Sequence, residues 1–272
     1  MTPVLLTGAS GLVGSRVLPL LAASGFDCRA LVRSDVALPA GTTAVRADLG
    51  DPDSLQAAVE GVEAVVHLAA LFRTDDDDAI WRANLDGTRN LVDAVSVFAP
   101  HARFVMASTG NVYDADAARP ALETDACSPT LAYPASKVAA EQVLRDSGLT
   151  WCVLRLPFVY GDGDGHLASL GGLAERFGLH PAHTYSVAHH RDIAAVVELA
   201  LTGVMDGRTV NVTDDAPVTV YEMARLGGNP VGASAEPLTN PWSGRMDGTL
   251  LREFGFRPTV PTIHAAAQDG IL

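Results

Sequence analysis

The chain has 272 residues, 48% of them apolar, enough to bury a sizeable core in one large domain or in one domain with a small appended lobe. With 19 Lys and Arg against 32 Asp and Glu, the formal net charge is −13, so nucleic acid and anionic membrane surfaces, which demand a cationic face, are not expected partners. No apolar run approaches the roughly 20 residues of a membrane-spanning helix, the N-terminus reads as a strand rather than a secretory leader, and three scattered cysteines (Cys28, Cys127, Cys152) fit neither a disulfide framework nor zinc, so a cytoplasmic protein without a metal is expected.

Apolar, β-branched runs alternate with helical patterns, which predicts βαβ units and a parallel sheet. Residues 4–6 read as a strand, 12–23 as a helix, and 28–32 and 43–46 as strands. A helix follows over 54–59, opened by Asp51-Pro52-Asp53, then an apolar strand over 64–68. The acidic run at 75–78 reads as a solvated loop. A long helix is expected over 80–98, a strand over 104–107, a helix over 132–145 and a strand over 151–154. Beyond Pro157 the pattern loosens. Residues 161–172 are glycine-rich and expected to be mobile, 189–201 read as helix, 209–212 as strand, and the remainder from Ala216 as short helices and loops. The expectation is an α/β protein: a doubly wound parallel sheet (Rossmann) with a small irregular C-terminal substrate lobe. Residues 1–160 with 187–212 would form the dinucleotide-binding domain, and 161–186 with 213–272 the lobe.

Two motifs carry chemistry. Directly after the first strand comes Thr7-Gly8-Ala9-Ser10-Gly11-Leu12-Val13-Gly14, a G-x-x-G-x-x-G turn opening a helix. Such a turn lets backbone N–H groups and a helix N-terminus approach a diphosphate. The second is Tyr133-Pro134-Ala135-Ser136-Lys137, a phenol and an ammonium four residues apart and hence on one helical face. A free phenol has a pKa of about 10. A neighbouring cation favours the phenolate, so Lys137 is expected to lower the Tyr133 pKa and fit Tyr133 for proton exchange at neutral pH. Lys137 is the only lysine beside 18 arginines. Where every other cation is a guanidinium, one ammonium in this position reads as selected for its point charge.

The TGASGLVG run resembles the extended branch of the short-chain dehydrogenase/reductase superfamily, the NAD-dependent epimerase/dehydratase family. The resemblance continues through Asp48-Leu49, His67-Leu68-Ala69-Ala70, the run from Asn84 to Leu91, Y-x-x-x-K at Tyr133 and Lys137, and Leu154-Arg155-Leu156-Pro157 with Val159-Tyr160-Gly161. It implies a cofactor site built from Gly8, Ser10, Gly11, Leu12, Val13 and Gly14 at the diphosphate and Asp48 and Leu49 at the adenine. Leu68, Ala69 and Ala70 would lie along the cofactor, and Pro157 and Val159 near the nicotinamide. It implies Tyr133, Lys137 and Thr109 as the catalytic group, with Lys137 also holding the nicotinamide ribose and Ser108 touching cofactor or substrate. Arg33 stands where the second strand ends, the position at which an acidic residue holds the ribose of NAD and a cation accommodates the extra phosphate of NADP. In this the run resembles dihydroflavonol-reductase-like members, and NADP is the expected cofactor, with NAD as the alternative.

What is absent narrows the reaction. The Asp-Glu pair of nucleotide-sugar dehydratases is replaced by Gly110 and Asn111, and Tyr185 stands where nucleotide-sugar epimerases carry an arginine that Arg176 or Arg191 would have to replace. The expected activity is reduction of a ketone or aldehyde with Tyr133 as proton donor. The alternatives are a nucleotide-sugar epimerase with retained NAD and a non-catalytic dinucleotide sensor. His189 and His190 read as helix-start or network residues, and Asp192 as a cap of the helix that follows. The helices over 80–98 and 132–145 commonly pair across a dimer axis in this family, so a homodimer is plausible by resemblance.

Overall fold

In a computed structural model, described over residues 2–113, 116 and 118–272, seven strands form one parallel sheet. The first half runs β1 (Pro3–Thr7), α1 (Gly14–Ala23), β2 (Asp27–Val32), β3 (Thr42–Arg46), α2 (Gln56–Val59) and β4 (Ala64–His67). Then come α3 (Asp77–Trp81), α4 (Gly87–Phe98), β5 (Arg103–Thr109), α5 (Ala132–Asp146), β6 (Thr150–Leu156) and β7 (Phe158–Tyr160). The last part holds α6 (His166–Phe177), β8 (Thr184–Tyr185), β9 (Val187–His189), α7 (His190–Leu201), β10 (Arg208–Asn211), β11 (Val218–Thr219), α8 (Val220–Leu226), α9 (Thr249–Glu253) and α10 (Ile263–Gln268).

The sheet order is β10-β6-β5-β4-β1-β2-β3, so the chain reverses its direction of winding between β1 and β4, where a crevice opens at the carboxyl ends. Side chains alternate across the sheet. Val4 and Leu6 pack with Val17 and Leu21 of α1 and Ile193 and Val197 of α7, whereas Leu5, Val65 and Phe104 pack with Leu91 and Val95 of α4 and Leu144 of α5. Helices on both faces explain why the central strands are apolar throughout.

A third apolar cluster, with Tyr160, Leu167, Leu170, Met223, Val260 and Ile263, unites α6, α8 and α10 beside the sheet. It corrects the reading of 161–172 as a glycine-rich loop, because a twelve-residue helix begins at His166. The glycines serve close packing instead. A Cβ on Gly171 would lie 2.5 Å from the Asn229 carbonyl oxygen, and one on Gly227 would lie 2.3 Å from that of Leu167. The single helix expected over 80–98 is interrupted by a π-helical turn at Arg82–Asp86 that carries the buried Asn84. Asp192 does not cap its own helix. His189 does so, accepting from the Arg191 N–H, while Asp192 accepts from Thr259 and Val260 and fastens the C-terminal segment to α7. Among the described residues no helix is long and apolar enough to cross a membrane, and no cluster of His, Cys, Asp or Glu is suited to hold a metal ion.

Candidate active site

The crevice at the carboxyl ends of β1 and β4 is shaped by glycine. Gly8 sits at φ +76°, and a Cβ there would lie 2.6 Å from the Ala69 nitrogen and 2.8 Å from the Leu68 carbonyl carbon. A Cβ on Gly14 would lie 2.1 Å from the Gly8 carbonyl oxygen. The loop is therefore closed on itself and pressed against the segment after β4, and only hydrogen fits at either position. Ser10, Gly11 and Leu12 line a cleft of about 410 Å³ together with Ser15, Arg16, Phe72 and Arg73. Arg16 donates from Nη1 to the Leu12 carbonyl, and its Nε is buried without a partner among the described residues. A glycine cradle at a helix N-terminus with an arginine N–H left over fits the diphosphate of a dinucleotide.

The segment after β4 is held by a directional relay. Thr88 donates to the Asn84 carbonyl and so accepts from His67 Nε2 at 2.9 Å, which leaves His67 Nδ1 to accept from Thr7 at 2.7 Å. Burial, with the Lys137 charge added, lowers the His67 pKa to about 3, so the ring is neutral and structural. Asn84 grips the backbone of Leu71 on both sides and donates to Ser136, tying this segment to the first turn of α5.

The other expected cofactor positions also lie at carboxyl ends. Arg33 is exposed just past β2. Asp48 accepts from the Gly50 N–H, and Leu49 packs against Gly87 and receives Asn90 on its carbonyl. Pro157 and Val159 follow β6, where the Val159 carbonyl accepts from His166 Nδ1. The Ser108 hydroxyl donates to Glu141, which leaves its oxygen able to meet a cofactor or substrate only as an acceptor.

Tyr133 and Lys137 occupy successive turns at the start of α5. Pro134 is tolerated because the first turn of a helix needs no N–H donor there. Thr109, at the end of β5, hydrogen-bonds the Tyr133 phenol. Here the sequence expectation requires correction. Burial raises the Tyr133 pKa to about 12, against the opposing pull of the Thr109 bond. Desolvation of the phenolate outweighs the one-turn spacing, so Tyr133 is a neutral acid in this arrangement. Lys137 is itself buried, which lowers its pKa to about 8 against the upward pull of Glu141.

Sequence reasoning missed Glu141, Arg16, Phe72 and Arg73. The signal for Glu141 was available, since it continues the four-residue spacing of Tyr133 and Lys137. The Phe72 ring lies 5.5 Å from that of Tyr133, and Arg73 rests over Phe72. The arginines weighed as replacements for an epimerase arginine are engaged elsewhere, Arg176 with Asp75 and Arg191 with Asp162.

Residues 4–212 match the NAD dependent epimerase/dehydratase family. The chain belongs to this family. Two relatives within it are informative. A ketoreductase of Stigmatella aurantiaca, named for 4-hydroxy-2-methyl-3-oxo-4-farnesyl-3,4-dihydroquinoline-1-oxide, is 31% identical over 96% of this chain and 83% of its own. A ceramide reductase of Caulobacter vibrioides is 32% identical over 71% of this chain, and that match spans only 58% of the relative. Among solved structures, a short-chain dehydrogenase/reductase superfamily protein of Agrobacterium tumefaciens with bound NAD superposes with a TM-score of 0.81 at 23% identity, covering 98% of this chain and 95% of its own. UDP-glucose 4-epimerase of Thermotoga maritima gives 0.79 at 19% identity, covering 98% and 96%. These two share the fold. As a member of this family the chain is an NAD(P)-dependent oxidoreductase.

Proposed function

We propose that the chain reduces a ketone or aldehyde at the expense of NADPH, with Tyr133 as proton donor. The observation that carries this reading is the placement of the Tyr133 phenol, bonded by Thr109, with its ring 5.5 Å from that of Phe72, which lines the cleft with Ser10, Gly11 and Leu12. Bound NADPH supplies the hydride. Thr109 and Tyr133 then present two hydroxyls to the carbonyl oxygen of the substrate, and the Tyr133 O–H bond breaks as its proton passes to that oxygen. Lys137 stabilises the phenolate left behind. Arg33, exposed past β2, supports NADP over NAD through its fit to a phosphate.

Phe72, whose ring lies 5.5 Å from that of Tyr133, and Leu131, two residues before Tyr133, are exposed and would meet apolar substituents of the substrate. Lipophilic carbonyl compounds are accordingly the favoured class, in line with the names of the two relatives above. A cytoplasmic homodimer joined through α4 and α5 completes the reading, and sedimentation in the analytical ultracentrifuge tests the dimer. The decisive experiment follows NADPH absorbance across a panel of aliphatic and aromatic ketones and aldehydes. Turnover of a lipophilic carbonyl compound is expected. Tightly retained NAD, with interconversion of a nucleotide sugar and no net oxidation, would overturn the proposal.

A further inference from the structure

Tyr133, Lys137, Glu141 and Arg145 recur every fourth residue of α5 and stand one turn apart along one face. Glu141 is fully buried one turn along α5 from Lys137, and its carboxylate is saturated with donors from three directions. Arg155 of β6 donates from Nη2 at 2.8 Å and from Nε at 3.2 Å. Arg145, one turn further along α5, donates at 2.6 Å, and Ser108 of β5 donates its hydroxyl. Burial alone would raise the Glu141 carboxyl, but Arg155, Ser108 and Arg145 together hold it below the usual carboxylate range. Glu141 is therefore ionised and locked in place at neutral pH.

Lys137 is 2% exposed. A buried ammonium sheds its proton unless a counter-charge opposes desolvation. Glu141, likewise buried, stands one turn from Lys137 on the same face of α5, and His67 of β4, the other titratable group whose charge bears on it, is neutral. Glu141 is thus the carboxylate that favours the charged form. We propose that Glu141 is a positioning residue that keeps Lys137 an ammonium at neutral pH, while Arg145 and Arg155 fix the carboxylate and limit how much of its charge Lys137 receives. The inference rests on the reading that Lys137 serves Tyr133, but its test does not pass through turnover. A purely structural Glu141 would tie α5 to β5 and β6 and leave the Lys137 titration where it is.

Because Lys137 is the only lysine, lysine labelled with ¹³C at Cε gives one side-chain signal in the whole protein, and its shift against pH reads the ammonium directly. Glu141→Gln is expected to lower the midpoint by about one pH unit. Arg145→Gln removes a competing cation and is expected to leave the midpoint at or above that of the wild type. The comparison is repeated with Glu141→Gln in the Arg145→Gln background, where the double variant has the net charge of the wild-type cluster; this serves if the single Glu141 variant does not fold. A Glu141→Gln midpoint equal to that of its parent, or an Arg145→Gln midpoint below the wild type, overturns the inference. If the midpoints move as expected while Tyr133→Phe retains turnover, the Glu141–Lys137 relationship stands and the catalytic reading of Tyr133 falls.

Discussion

Thr109 and Tyr133, 24 positions apart in the chain, share a hydrogen bond where the end of β5 meets the first turn of α5. The Thr109 hydroxyl eases ionisation of a phenol whose pKa is otherwise raised by burial. Tyr133→Phe is expected to reduce turnover by about 10²–10⁴-fold, the usual range for a lost general acid, with dinucleotide affinity nearly unchanged. Thr109→Ala is expected to slow turnover less, because the proton donor remains. Steady-state kinetics beside a fluorescence titration with NADPH separates the two effects, and a Tyr133→Phe variant with full turnover sinks the assignment.

Gly14→Ala tests the phosphate loop. Alanine at an ordinary helix start would gain about 1 kcal/mol of helix propensity over glycine. Here its Cβ would meet the Gly8 carbonyl oxygen at 2.1 Å. Overpacking of this kind costs about 1–3 kcal/mol, so the clash is expected to win, lowering the melting temperature and weakening NADH and NADPH alike. A variant with unaltered cofactor affinity would show that the loop is not the diphosphate cradle.

Arg33 addresses cofactor choice. It is exposed past β2, so its replacement should leave the core intact. Arg33→Ser is expected to weaken NADPH by about tenfold, from the loss of charge-assisted hydrogen bonds to a phosphate, with little change for NADH. Isothermal titration of both cofactors makes the comparison, and equal losses for the two would remove Arg33 from the 2′-phosphate site.

Asp214 should make stability pH-dependent. It is 7% exposed, with Oδ1 accepting from the Ala216 N–H and Oδ2 buried without a partner among the described residues. Burial, with the Asp215 charge added, raises its pKa to about 8 from an ordinary 3.8. Between those values the folded chain holds a proton that the unfolded chain has released, so this group's contribution to stability declines as pH rises from about 4 to about 8. Asp214→Asn removes the effect. Its melting temperature is expected to gain on the wild type progressively across that window, and a constant difference from pH 4 to pH 8 would contradict the assignment.

Much of the site was legible because its parts are local. The G-x-x-G-x-x-G turn and the spacing of Tyr133 and Lys137 are set by a few consecutive residues and by the fixed periods of strand and helix. Where the reading failed, a distant partner decided. Residues 166–177 are helical although rich in glycine, because Gly171 and Gly227 let Asn229 and Leu167 approach closely. Asp192 serves Thr259 and Val260 rather than its own helix.

The sequence by itself determined the winding of the sheet, the cradle after β1 and the face of α5 that carries the phenol and the ammonium, since backbone geometry converts spacing into direction. Only the tertiary structure decided the charge states. Whether Tyr133 holds its proton, and what opposes the loss of one from Lys137, depends on how completely water is excluded and on a carboxylate clamped by Arg155 from the neighbouring strand. Desolvation and cross-chain charge are properties of the packed interior, and no local pattern of residues carries them.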